Sequence, residues 1–328
     1  MFMFFLIFSS IISISSNSWF GMWIGLEINL ISFIPLMNSN NFYSAESIIK
    51  YFLIQAISSS IILMMIIMLM YNPLFSLFNN NFINMILNSA ILTKMGTAPF
   101  HFWFPEVLEG LLWNQCFILL TWQKLAPMII VNYNFNFSLF FFLIIISSII
   151  ISSMMGINQI SLRKIMAYSS INHIGWMLSA MIFMENIWMI YFFIYLFITF
   201  NLIFIFNKFN IFFINQFNLI FNKFILIKYW IMLMFLSLSG IPPFIGFFPK
   251  WLIIQFLISL KMFFLMFFMI IFTLFTIYFY LRITFAIMMI KNSMNYLFNF
   301  KSKYFMFFSL NFIFNFSLIF CTFFMNFI

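Results

Sequence analysis

Apolar positions run almost without interruption in blocks of roughly 20 residues, the length that crosses a hydrocarbon core as a helix. The blocks fall at about 1–16, 19–38, 46–70, 82–104, 112–131, 137–157, 165–184, 187–206, 229–262, 264–290 and 304–327. None shows the short alternating segments of a barrel strand, so helices are predicted throughout. Connections are short, except 207–228 and 291–303, which are rich in Asn and Lys. Two blocks are broken internally. One break reads Lys94-Met-Gly-Thr-Ala-Pro-Phe-His-Phe-Trp-Phe-Pro-Glu106, the other Gly240-Ile-Pro-Pro-Phe-Ile-Gly-Phe-Phe-Pro-Lys250. At a constant offset of 144 residues, Pro99-Phe100 falls on Pro243-Phe244 and Phe104-Pro105 on Phe248-Pro249. Each broken block is the fourth of a set of five. Five is odd, so the second set would enter the bilayer upside down relative to the first, which is a transporter architecture with its ion site at the breaks. The expected fold is therefore all-α integral membrane, one transmembrane domain over 1–328 with about eleven transmembrane helices. They form two inverted five-helix repeats, 1–131 and 137–290, each with a broken fourth helix, plus one C-terminal helix at 304–327.

Composition strengthens the membrane assignment. Hydrophobic residues make up 66% and charged residues 6% of the 328, with mean hydropathy +1.15, too little charge for the surface of a soluble domain. Phe is used 58 times and Met 28, against 8 Gly, 8 Pro and two arginines, Arg163 and Arg282. That bias toward residues with A/T-rich codons is tolerated where lipid is the solvent, and it suggests a small A/T-rich genome such as an organelle's or an endosymbiont's. Cys116 and Cys321 lie in apolar runs, which argues against a disulfide framework or a metal site. Met1–Ile14 lacks a basic leader, so no signal or transit peptide is expected.

The net charge of +9 reads as topology rather than as a nucleic-acid footprint, because the lysines are scattered. With the N-terminus on one side, Lys50, Arg163, Lys164, Lys208, Lys223, Lys228, Lys291, Lys301 and Lys303 share that side, and Lys261 alone is opposite. By the positive-inside rule, the N-terminus is on the cytoplasmic or matrix side and the C-terminus across the membrane.

Glu27, Lys94, Lys124 and Lys250 instead fall inside spans. Each charge at a helix centre costs about 2.5–3.5 kcal/mol on insertion scales, so all four must face protein or water. A lysine in a dry site releases its proton more readily, and a neighbouring carboxylate reverses that effect. Such groups joined by water make a proton relay; the bland alternative is a set of structural ion pairs or snorkelling lysines. His101, in the first break, could shuttle protons or simply bond freed carbonyls. His173, among hydroxyls and an amide, could join the relay or bond a neighbouring helix. Glu106 and Glu109 are expected to be solvated near a surface, and Glu46 and Glu185 to be loop-end charges. There is no dinucleotide fingerprint, Walker loop, iron–sulfur spacing or in-span histidine pair, so neither cofactor nor metal binding is expected in this chain.

The stretches WIGLEINLISFIPL (23–36), APFHFWFPEVLEG (98–110), LLTWQKLAPM (119–128), KIMAYSSINHIGW (164–176) and SGIPPFIGFFPKW (239–251) resemble the subunit 2 family of mitochondrial NADH:ubiquinone oxidoreductase, respiratory complex I, in an arthropod-type form. The resemblance implies an antiporter-like core subunit of the membrane arm, in the mitochondrial inner membrane, with other membrane-arm subunits as partners. It implies that Glu27 pairs with Lys94, that Lys124 is the connecting lysine, and that Lys250 stands beside the second broken helix. NADH, FMN, iron–sulfur clusters and ubiquinone would belong to partner subunits. Bacterial members have fourteen spans, and eleven here resembles the animal form lacking the first three. The tail after 290 matches little of the family pattern. Two other classes remain open: a stand-alone cation/proton antiporter, and a structural subunit with decayed pump residues.

Overall fold

The computed structural model describes residues 1–39, 41–71, 76–135, 139–182, 185–217 and 225–289. The expected C-terminal helix at 304–327, the connection 291–303, Cys321, and the cations Lys223, Lys291, Lys301 and Lys303 lie outside the described residues, as does the side chain of Glu185.

The chain divides into two compact units, Met1–Ser148 and Ile149 onward. In the first unit, α1 (Phe2–Ser15) and α2 (Trp19–Met37) form an antiparallel pair held by small residues. A Cβ on Gly25 would sit 2.7 Å from Ser13, so these two backbones touch as small-residue membrane helices do. The α3 helix (Phe42–Tyr71) packs against α2, against α4 (Ser76–Met95) and against the short α5 (Trp103–Gly110). After α6 (Trp113–Leu120), α7 (Trp122–Tyr133) returns against α1 and α4.

The expected continuous span at 112–131 is interrupted at Thr121, between α6 and α7. Thr121 departs from helical geometry (φ −118, ψ −72) and its hydroxyl donates to the Phe117 carbonyl at 2.6 Å. Pro127 then withholds the amide that the Gln123 carbonyl would accept, loosening the ladder on the other side of Lys124.

The α8 helix (Leu139–Ile157) crosses the division between the units. In the second, α9 (Leu162–Met181) is the central element, with every residue from Ile165 to Met181 buried. Its low hydropathy follows: neighbours rather than lipid surround it, so Ser169, Ser170, Asn172 and His173 can sit mid-helix. Around it lie α10 (Glu185–Phe209), α11 (Ile225–Ser239), α12 (Phe247–Ser259) and α13 (Phe263–Met289). Of these, α10 and α12 pack directly on α9, and α10 also on α11 and α12.

Among the described residues, six helices or helix pairs are long and apolar enough to cross a bilayer: Trp19–Met37, Phe42–Met70, Trp113–Tyr133, Leu139–Ile157, Asn186–Phe209 and Phe263–Met288. Phe2–Ser15, Phe82–Met95, Ile227–Ser239 and Phe247–Ser259 are shorter apolar helices. The last three are the apolar halves that flank the two breaks.

Candidate functional site

The two breaks share one backbone construction in the same register. Helix α4 ends at Met95 and α11 at Ser239; Gly96 (φ +73) and Gly240 (φ +75) follow in the left-handed region, where a side chain is disfavoured. Gly96 N–H donates to the Thr93 carbonyl and Thr97 N–H to that of Leu92, at 3.1 and 3.3 Å. Gly240 N–H donates to Ser237 and Ile241 N–H to Leu236, at 3.1 and 3.5 Å. This bond pair is the Schellman ending, which uses some of the carbonyls a helix terminus leaves unpaired. Ala98-Pro99 and Pro242-Pro243 are cis, and helix resumes at Trp103 and Phe247. Pro105 and Pro249 then occupy the first turn, where no amide is required.

The charge, by contrast, is placed differently in each break. Lys94 stands before the first, in the last turn of α4, where the helix dipole favours a cation. Lys250 stands after the second and reaches back: its Nζ donates to the Ser239 carbonyl at 2.8 Å and lies 5.7 Å from the Trp176 ring centroid. A Cβ on Gly240 would come within 2.9 Å of both Cδ and Nζ of Lys250, so glycine is needed there for space as well as for backbone angle.

In the first break neutral groups take that part. Gln55 Nε2 donates to the Lys94 carbonyl at 3.3 Å and Trp103 Nε1 to the Thr93 carbonyl at 3.1 Å. The buried Lys94 side chain instead lines a cavity of about 10 Å³ with Asn29, Tyr51, Gln55, Gln123 and Pro127. That space is on the scale of one water molecule. Gln123 Nε2 closes one wall by donating to Asn29 Oδ1 at 3.0 Å. Glu27 is half-buried on α2, and no ion pair joins it to Lys94 among the described residues.

Lys124 is 1% exposed, and its Nζ lies 5.2 Å from the Phe104 ring centroid. The same ring packs against Gly96, where a Cβ would sit 3.0 Å from it, so one aromatic joins the first break to the second lysine. His101 is buried in the break with Nδ1 3.3 Å from the Pro99 carbonyl, the backbone role anticipated as its alternative. His173 Nδ1 lies 2.8 Å from the Tyr191 hydroxyl, and the Tyr195 ring is 5.0 Å away. These three residues line a second cavity of about 10 Å³, together with Ser237 and Pro249 from the second break.

Glu106 and Glu46 are well exposed, as expected of them, and Lys50 Nζ bonds both carboxylates at 2.8 Å. Glu46 and Lys50 are one turn apart on α3, and α5 packs alongside, which brings Glu106 to the same ammonium. The cluster is well exposed, so solvent screens it and it adds little to stability. Gln55, Gln123, Asn29, Tyr51 and Tyr191 were not singled out from sequence. Their signal was an uncharged polar residue in an apolar span, which is also the signature of ordinary interhelical hydrogen bonding.

The family model described as NADH:quinone oxidoreductase/Mrp antiporter, transmembrane, matches residues 16–276. A curated relative from Anopheles gambiae, NADH-ubiquinone oxidoreductase chain 2, is 51% identical over 92% of this chain and 90% of its own length. Among solved structures, the fold is similar to a chain of respiratory complex I from Thermus thermophilus with bound aureothin, at TM-score 0.78 and 20% identity over 88% of this chain and 70% of that one. It is also similar to a chain of the membrane-bound sulfane sulfur reductase, an archaeal respiratory membrane complex, at TM-score 0.82 and 15% identity over 98% and 72%.

Proposed function

Because the chain belongs to the NADH:quinone oxidoreductase/Mrp antiporter transmembrane family, we propose that Glu27, Lys94, Lys124 and Lys250 carry protons through it. The chain is a multi-pass membrane subunit of NADH:ubiquinone oxidoreductase, complex I, and its antiporter-like fold serves proton translocation. Electron transfer from NADH to ubiquinone takes place in partner subunits, which hold the redox cofactors. The setting is the mitochondrial inner membrane, with the N-terminus in the matrix, the C-terminus in the intermembrane space and the two five-helix sets inverted. Other membrane-arm subunits of the complex are its partners.

The observation that supports this most is Lys94. It is buried at a helix break, lines a polar cavity, and makes no contact ion pair with a carboxylate among the described residues. A contact ion pair would hold its proton; a carboxylate at a distance, whose position or charge can change, modulates it. His101 and His173 remain lesser candidates, since each is bonded to a neighbour that fixes its ring.

The test uses the intact complex in native membrane vesicles. Lys94→Met and Glu27→Gln should lower the number of protons moved per NADH oxidised while the complex still assembles. Unchanged pumping in both variants would favour a purely structural subunit. Unaided cation/proton exchange by the purified chain in liposomes would favour the stand-alone antiporter, which the Mrp members of the family make a specific alternative.

A further inference from the structure

The second unit buries hydrogen-bonding groups that its broken helix does not use. Asn201 of α10 is 1% exposed, and neither its amide oxygen nor its amide nitrogen has a hydrogen-bond partner among the described residues. A buried polar group left without a partner is destabilising, and asparagine is also a weak helix former. Leucine has the same branched skeleton and would carry neither penalty. The amide therefore answers to something other than packing.

Its position on the helix gives the direction. Tyr191, Tyr195, Ile198 and Asn201 follow one another at spacings of three or four residues, so they lie along one side of α10. The first three line the cavity shared with His173 and with Ser237 and Pro249 of the second break. Asn201 is one turn beyond Ile198, about 15 Å along the axis from Tyr191. Trp188 continues the row at the other end, and its buried indole N–H is likewise unpaired among the described residues.

We propose that Asn201 holds ordered water that extends the His173 cavity along α10, making it a positioning residue for proton movement through the second unit. The inference rests on the proton-translocation reading above. A carboxamide suits the task because Oδ1 accepts from one water while Nδ2 donates to another, orienting both. It does not titrate, so it orders a water file without trapping the proton that passes.

The experiment combines high-resolution density of the intact wild-type complex with proton-to-NADH ratios of three variants. Water within hydrogen-bonding distance of the Asn201 amide is expected in the wild type. Asn201→Leu should lose that water and lower the ratio, and Asn201→Ser, which keeps a donor and an acceptor, should restore both in part. Absence of water beside Asn201 in the wild type overturns the assignment, even if the leucine variant fails to assemble. A serine variant as defective as the leucine one would make the role steric and overturn it too. With Lys250→Met as the control, a defective control beside a normal Asn201→Leu overturns the Asn201 assignment alone. A control that pumps normally overturns the relay reading and the assignment with it.

Discussion

Lys124 lies over the face of Phe104 with its ammonium 5.2 Å from the ring centroid, a cation–π contact of the kind worth about 0.5–2 kcal/mol. Arginine stacks on aromatic faces at least as well as lysine, so Lys124→Arg should fold and assemble. It should not relay, because a guanidinium effectively never deprotonates. The expected outcome is a normal content of assembled complex on native gels with a sharply reduced proton-to-NADH ratio in sealed vesicles. Pumping at the wild-type ratio would remove Lys124 from the path. The buried lysines were legible in the sequence because charge in an apolar run has so few explanations. Their partners were not. His173 and Tyr191 are 18 residues apart on adjacent helices, and Lys50 and Glu106 are 56 apart, so neither pairing leaves a periodic trace.

The breaks are where sequence and structure agree most closely, since glycine in the left-handed region and proline dictate backbone directly. Gly96 and Gly240 carry the same φ to within a few degrees, and the same two backbone bonds close each helix. The interruption at Thr121 escaped notice because neither threonine nor a proline six residues later ends a helix by rule. Gly240 also has a second duty in leaving room for Lys250. Gly240→Ala would place an L residue at φ +75, at a cost of about 1–2 kcal/mol. It would also push a methyl against the Lys250 side chain and weaken its bond to the Ser239 carbonyl. This variant should lower both the thermal stability of the complex and its proton-to-NADH ratio. Gly96→Ala meets the Phe104 ring rather than a charged group, so a comparable stability loss should come with a smaller pumping defect. Equal pumping defects in the two variants would show that the Lys250 contact matters no more than the backbone turn.

At the scale of the whole molecule, apolar surface and scattered lysines carry the information that no single site does. Large exposed residues such as Phe4, Phe193, Leu143 and Phe264 belong to helices that present them outward, as a bilayer or a partner's apolar surface requires. The cations outside the spans bear on orientation instead. Lys164 begins α9, Lys208 closes α10, and Lys228 opens α11 with its Nζ 3.5 Å from the Met288 carbonyl at the end of α13. Lys261 stands by itself, just past α12, in a left-handed turn at φ +59. If the positive-inside rule governs this chain, the first three share the matrix side and Lys261 faces the intermembrane space. A membrane-impermeant amine reagent checks this by mass spectrometry. Applied to mitoplasts, whose outer face is the intermembrane-space side, it should modify Lys261 and spare Lys164, Lys208 and Lys228. Applied to inverted vesicles, it should modify those three and spare Lys261. Reaction of Lys261 and Lys208 from the same side would mean that the chain crosses an even number of times between them rather than once, and the inverted arrangement of the two five-helix sets would fall with it.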